Sequence, residues 1–331
     1  MRPADAGLAP VSRPSVFLTR RLPPAVENVL AEQYRVVFAG TKEPGKAELI
    51  AAMAQHDALC CTVADRIDAE VICAPARRAT MIANYGVGFD HIDLAAAQDA
   101  GICVTNTPDV LTEATADLAI MLMLMASRRA GEGERQLRAG DWAGWEPRHM
   151  IGVGVQGRTL GLVGFGRIAQ ATAARATAFG MRIAYNSRRR ASPDVEAKLG
   201  ARFVAELRDL AAEADVLSLH CPGGAQTRHL IDAALLKAMK PTAILVNTAR
   251  GSVVDEGALA AALEAGTIFA AGLDVFENEP EVPTSLLARE DVVLLPHLGS
   301  ATDLARTAMG MRMVANLKDY FAGREPRDRL A

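Results

Sequence analysis

The chain has 331 residues, half of them hydrophobic and 23% charged, with 36 basic against 39 acidic side chains for a formal net charge of −3. That is the composition of a globular protein large enough for two domains, not of a disordered or fibrous chain. The near balance of charge gives no general electrostatic case for nucleic acid or an anionic membrane as a partner.

The start, MRPADAGLAPVSRPS, carries three prolines and no apolar stretch of signal-peptide length, and reads as a loose tail. After it, short apolar runs alternate with helical composition. SVFLT, YRVVFA, ALCCTV, ATMIANY and ICVTN read as strands, with PAVENVLAEQ, KAELIAAMAQ, DAEVICAPA and IDLAAAQDAG as helices between them. This is the rhythm of parallel βα units. A long helix is expected from about Thr112 to Arg129. Its apolar run LAIMLMLMA is too short to span a bilayer and reads as packing of a buried helix.

A polar connection, GEGERQLRAGDWAGWEPRHMIGVGVQG, follows. Its Trp142 and Trp145 fit either simple packing or a reach toward a ligand cleft. The rhythm then restarts with TLGLVGF, MRIAYN, ARFV, DVLSLHC, AILVNTA, FAAGLDV and VVLLPH, and a tail helix closes the chain. The five cysteines form no C-x-x-C pair, and their odd number suits a reducing, cytoplasmic setting. No metal site is expected.

Chemistry enters at LGLVGFGRIAQ. Gly164, Gly166 and Ala169 stand as G-x-G-x-x-A after an apolar strand and ahead of an Ala-rich helix, the context a dinucleotide turn needs. Amides at the helix start near Arg167 would face the phosphates. A tight turn without a ligand would share the pattern. The next strand ends in Asn186-Ser187-Arg188-Arg189, where an acidic residue would select NAD. Two guanidiniums and a hydroxyl there favour the 2′-phosphate of NADP, with NAD(H) still possible. A solvated basic loop is the alternative.

Three later strand ends offer Arg250, Glu279 and His297. An arginine can grip a carboxylate and polarise the adjacent carbonyl, and a histidine held by a glutamate can give a proton to the carbonyl oxygen. Singly, each is as readily a surface ion pair, a turn residue or a structural histidine. Together, beside a dinucleotide turn, they point to hydride transfer. Reduction by such a site should weaken as pH rises.

These motifs, with NYGVGFDHID (84–93), VLTEATADLAIMLML (110–124), LSLHCP (217–222), VNTARGSVVDEGAL, GLDVFENEP and PHLGSAT, resemble the D-isomer-specific 2-hydroxyacid dehydrogenases from about residue 15 onward. Within that family the glyoxylate/hydroxypyruvate reductases are most similar, on TEATADLA, DWAGWEPRHMIG and the Ser-Arg-Arg run. Glu279 stands where the formate dehydrogenases carry Gln.

The resemblance implies an α/β fold of two domains. A discontinuous flavodoxin-like substrate domain would span 1–108 and 298–331, and a Rossmann-type dinucleotide domain 109–297, with substrate in the cleft between them. It implies Arg250 as substrate ligand, His297 as general acid/base and Glu279 as its partner, with the amides of Val87 and Gly88 on the substrate carboxylate. Asp274 would meet the nicotinamide carboxamide. The cofactor would lie along Thr115, Gly164, Phe165, Gly166, Arg167, Ile168, the 186–189 run, His220, Cys221, Pro222, Thr227, Thr248, Ala249, Arg250, His297 and Gly299.

The implied reaction reduces a small 2-oxo acid to a D-2-hydroxy acid in a homodimer. Other family chemistries remain open (2-ketogluconate, hydroxyphenylpyruvate, phosphite), as does a dinucleotide-sensing protein like the corepressors of this fold. Two departures stand out. Ala169 replaces the third glycine, and Gly223-Gly224 follow Cys-Pro where Leu-Thr is usual, which is expected to loosen that loop.

Overall fold

A computed structural model describes residues 13–40 and 43–331. The proline-rich start, read as a loose tail, lies outside the described residues through residue 12. Two compact units form. The first runs to Val110 and adds Asp303–Ala331; the second is Leu111–Thr302.

The first unit is a five-stranded parallel sheet of β1 (Ser15–Leu18), β2 (Arg35–Phe38), β3 (Ala58–Thr62), β4 (Met81–Tyr85) and β5 (Cys103–Thr105), in the order β2-β1-β3-β4-β5. Helices cover both faces, which is why the inner strands are mostly apolar. One face is closed by the helix Asp303–Phe321. Its Met313, Val314 and Leu317 pack with Val16, Leu18, Cys60, Met81 and Ala83 of the sheet. Tyr85 Oη donates to Arg306 O (2.7 Å) and Asn316 Nδ2 to Asn106 O (3.1 Å), fixing its height on the sheet.

Gly310 of this helix lies so near Val26 that an added methyl would overlap the valine side chain. Gly310→Ala is expected to cost about 1–3 kcal/mol by overpacking. A lowered urea midpoint with unchanged cofactor affinity would show it.

The second unit holds β6 (Thr159–Val163), β7 (Arg182–Asn186), β8 (Ala201–Phe203), β9 (Val216–Leu219), β10 (Ile244–Asn247), β11 (Ala270–Leu273) and β12 (Val292–Leu294). All pairings are parallel, in the order β12-β11-β10-β9-β6-β7-β8. Sequence order reverses between β6 and β9, and in doubly wound sheets ligands bind beyond the carboxyl ends at that point. The helix Thr112–Ser127 buries Ile120, Leu122, Met123 and Ala126 against one face, where its apolar run was expected to pack. Among the described residues no helix is long and apolar enough to cross a membrane.

Two details differ from the sequence reading. The units divide a few residues beyond 108 and 297, because the 298–302 turn is tied to the second unit: Asp274 accepts from the N–H of Leu298 and Gly299, and Thr115 Oγ1 donates to Gly299 O. And the connection after Arg129 is not all loop. Ala130–Ala139 is helical with no buried residue, stabilised by pairs of Arg129 with Glu132, Arg138 with Glu134 and Arg135 with Glu290. Its two glycines and lack of an apolar face concealed it.

Candidate active site

β6 is followed directly by Gly164, whose φ of +87° is open to glycine without strain. A Cβ there would also sit 2.8 Å from His220 O and 2.9 Å from Cys221 N. The turn delivers the chain to Gly166, which begins the helix Arg167–Ala178 with no side-chain cap and no acid in its first turn. Nothing lies within 4 Å of where a Gly166 Cβ would project. Gln170 Nε2 donates to Phe165 O (3.0 Å), and the Phe165 ring stacks on Tyr185 at 3.8 Å. Ala169 is fully buried, so its small side chain sets the helix against its neighbours.

A second line of residues rims the same sheet edge. Ser218 Oγ and His220 Nε2 are 2.9 Å apart, and burial pushes the His220 imidazole down to about 4, so it is neutral. Burial pushes the Cys221 thiol up to about 11. The Gly223-Gly224 loop is braced rather than loosened: Thr227 Oγ1 donates to Pro222 O (2.7 Å), and Thr227 N–H to Gly224 O (3.1 Å). Thr227 thus serves its own loop. After β10, the buried Thr248 hydroxyl has no protein partner among the described residues.

These observations fit a dinucleotide: an uncapped helix start behind a glycine turn, open space at Gly166, and a buried hydroxyl awaiting a partner. Among the described residues no cluster of side chains could hold a metal ion.

The 186–190 run divides by role. Asn186 spends both amide hydrogens on Val204 O and Ala205 O (2.9 and 2.8 Å), so it shapes the loop and has no N–H left for a ligand. Ser187 Oγ donates to Arg189 O (2.6 Å). Arg190 is committed to Glu196, which also accepts from Tyr185 Oη. Arg188 and Arg189 stay exposed, Arg188 with a long contact to Gln226 (3.4 Å).

The other strand ends bring the charged residues forward. Asn247, buried at the end of β10, donates to Arg250 O and accepts from Ala249 N–H, which shapes the backbone that carries Arg250. Gly251 packs directly on the main chain of Phe276 and Glu277. Past β11, Asp274 is buried with both oxygens on the amides of Leu298 and Gly299, and burial pushes its carboxyl up to about 6. Those bonds tie it to the turn that carries His297.

Glu279 Oε1 accepts from Phe276 N–H (3.0 Å) and Oε2 from His297 Nδ1 (2.8 Å). Burial works against the charge on Glu279. The His297 bond, the Phe276 amide and the positive charge of Arg250 outweigh it and hold its carboxyl below the ordinary range. An ionised Glu279 only accepts, so His297 carries its proton on Nδ1 in the neutral state and leaves Nε2 as the working nitrogen.

The sequence reading missed Glu256, Asn247 and the role of Asn186. Glu256 Oε1 accepts from Glu277 N–H (2.8 Å) at the base of the loop carrying Glu279. Its only visible signal was a carboxylate beside an N-cap, which many helices carry.

Fold and site define a nicotinamide-dinucleotide-dependent oxidoreductase. Residues 120–299 match the family model of the D-isomer specific 2-hydroxyacid dehydrogenase, NAD binding domain. The chain is 46% identical over 319 residues to a glyoxylate reductase of Thermococcus onnurineus, covering 95% of each chain. It is 45% identical over 322 residues to one of Aeropyrum pernix, covering 96% of this chain and 95% of that one. The crystal structure of an NADPH-dependent glyoxylate/hydroxypyruvate reductase from Sinorhizobium meliloti, in complex with NADP and malonate, matches with a TM-score of 0.87 at 39% identity over 97% of each chain. The protein belongs to the D-isomer-specific 2-hydroxyacid dehydrogenase family.

Proposed function

We propose that the protein reduces small 2-oxo acids, glyoxylate and hydroxypyruvate foremost, to 2-hydroxy acids, of D configuration where C2 becomes a stereocentre, with a preference for NADPH over NADH. The observation that carries this is the Glu279–His297 pair at the carboxyl edge of the second sheet, with the charge of Arg250 beside it. The glyoxylate reductases among the relatives support the substrate class.

Gly164 and Gly166 with the start of the Arg167–Ala178 helix would hold the pyrophosphate, and Thr248 would meet the buried part of the cofactor. The bound dinucleotide supplies a hydride for substrate C2. Arg250 grips the substrate carboxylate and draws charge onto the carbonyl oxygen. Protonated His297 passes the Nε2 proton to that oxygen, while Glu279 on Nδ1 stabilises the imidazolium beforehand and orients the ring afterwards. Deprotonating His297 removes the acid, so reduction falls and oxidation rises with pH.

Arg188 and Arg189, exposed where an NADP 2′-phosphate is expected, support the cofactor preference. A homodimer in the cytoplasm completes the proposal. Exposed Leu137, Trp142, Trp145 and Ile151, gathered in one segment, support the assembly.

Steady-state reduction of glyoxylate with NADPH and NADH side by side is the test. We expect a clear NADPH bias in the wild type. In Arg188→Ala/Arg189→Ala, kcat/KM for NADPH should fall about 10–100-fold, the value of one or two charge-assisted bonds, with NADH little changed. Equal use of both cofactors by the wild type would overturn the preference and leave the chemistry standing. Absence of turnover with either would overturn the reductase reading.

A further inference from the structure

We infer that Asn84 and Asn106 are positioning residues that aim the backbone amides of Val87 and Gly88 at the substrate carboxylate. This rests on the reading above that the protein takes a 2-oxo acid.

The segment after β4 is fixed through its carbonyls. Asn84, fully buried at the fourth position of that strand, donates through Nδ2 to Gly86 O (3.2 Å) and Gly88 O (2.8 Å). Asn106, just past β5, donates through Nδ2 to Val87 O (2.9 Å), and Thr107 N–H adds a second bond to Gly86 O (3.0 Å). Three successive carbonyls therefore point into the unit.

A trans peptide is planar, and the N–H of each residue points opposite to the carbonyl of the residue before it. Turning Gly86 O and Val87 O inward turns Val87 N–H and Gly88 N–H outward. Among the described residues neither amide meets an acceptor, and both residues are only half-buried. Adjacent outward amides with their peptide planes locked form a receptor for an anionic oxygen pair, and the locking is done before the anion arrives.

Asn84 itself is held in one orientation. Its Oδ1 lies 3.1 Å from His91 Nε2, and an amide oxygen only accepts, so Nε2 carries hydrogen and donates. A flipped amide would set its oxygen against two carbonyls. The side chain has one arrangement that satisfies all three groups, so it acts as a rigid template for the loop.

The test compares Asn84→Ala and Asn106→Ala with the wild type on glyoxylate and on its methyl ester, which keeps the aldehyde and lacks the charge. In the wild type, the carboxylate should give a large advantage in kcat/KM. In each variant, KM for glyoxylate should rise about tenfold, the loss of one well-aimed bond to a charge, while KM for the ester and the dissociation constant for NADPH stay put. The discrimination between acid and ester shrinks as a result. A change in general packing would weaken acid, ester and cofactor together.

Asn106→Ala keeps the readout open should Asn84→Ala not fold, because the helix contact at residue 106 is to its backbone oxygen. Unchanged discrimination in a folded variant, or an equal rise for acid and ester, overturns the inference. Should the wild type reduce neither compound, the reductase reading has failed on its own. Calorimetric titration of oxalate into NADPH-loaded wild type and Asn106→Ala then decides the amide cradle: about tenfold weaker binding in the variant upholds it, and equal binding overturns it.

Discussion

Replacing His297 by asparagine is expected to lower kcat for 2-oxo acid reduction by about 10²–10⁴-fold, the usual contribution of a placed general acid. Asparagine suits the purpose for two structural reasons. His297 holds a left-handed backbone, with φ of +54°, and asparagine tolerates that region better than most residues. Its Nδ2 can also keep a donor on Glu279 Oε2, so the carboxylate is not stranded. The variant should therefore melt close to the wild type and bind NADPH equally, and its residual rate should lose the fall with rising pH. A loss below tenfold would show that another group supplies the proton.

Gly251→Ala should be comparably damaging without removing any functional group. Its added methyl would overlap the carbonyl carbon and oxygen of Phe276 and the nitrogen of Glu277, all main chain, so nothing nearby can rotate away. One segment carries Arg250 and the other carries Glu279, and relief of the overlap displaces both. A shift of about 1 Å at such a site costs roughly 10²-fold in rate. We expect that loss in kcat/KM, with about 1–3 kcal/mol of destabilisation. NADPH affinity should survive in part, because the Gly164–Gly166 turn belongs to another strand end. Kinetics, thermal denaturation and cofactor titration on one preparation separate these effects. Activity within a few-fold of wild type would show that the two segments move without cost.

The strands were legible in the sequence because the inner strands are covered on both sides and read as short, mostly apolar runs, as SVFL, VLSL and AAGL do. The glycine turn was legible for a related reason: at Gly164 the conformation and the crowding both demand the absence of a side chain. The Ala130–Ala139 helix was not, because it buries nothing, so no apolar stripe marks it, and its two glycines mask the helical spacing of the Arg129–Glu132 and Glu134–Arg138 pairs.

In the site, charged residues announced themselves by type and by their place at strand ends. Residues that work through main-chain carbonyls did not. Asn84, Asn106, Asn186 and Asn247 all spend amide hydrogens on backbone oxygens, at separations from two to nineteen residues. No residue type or spacing marks such a bond, since the acceptor is a group every residue possesses. The same property misdirected the reading of Asn186, which was placed by its position at the end of β7 when its side chain faces the neighbouring loop.

The helix Asp303–Phe321 has a bearing on how the protein comes into being. A polypeptide emerges from the ribosome N-terminus first, and domains generally fold as units as they appear. The first five strands leave the exit tunnel early, but the apolar side chains that cover one of their faces are more than two hundred residues behind them. The Leu111–Thr302 unit has all its own strands and helices in hand before that cover arrives. Nascent chains of this architecture thus complete their middle unit before their first, and until residue 321 is free one face of the early sheet lacks the cover of Met313, Val314 and Leu317.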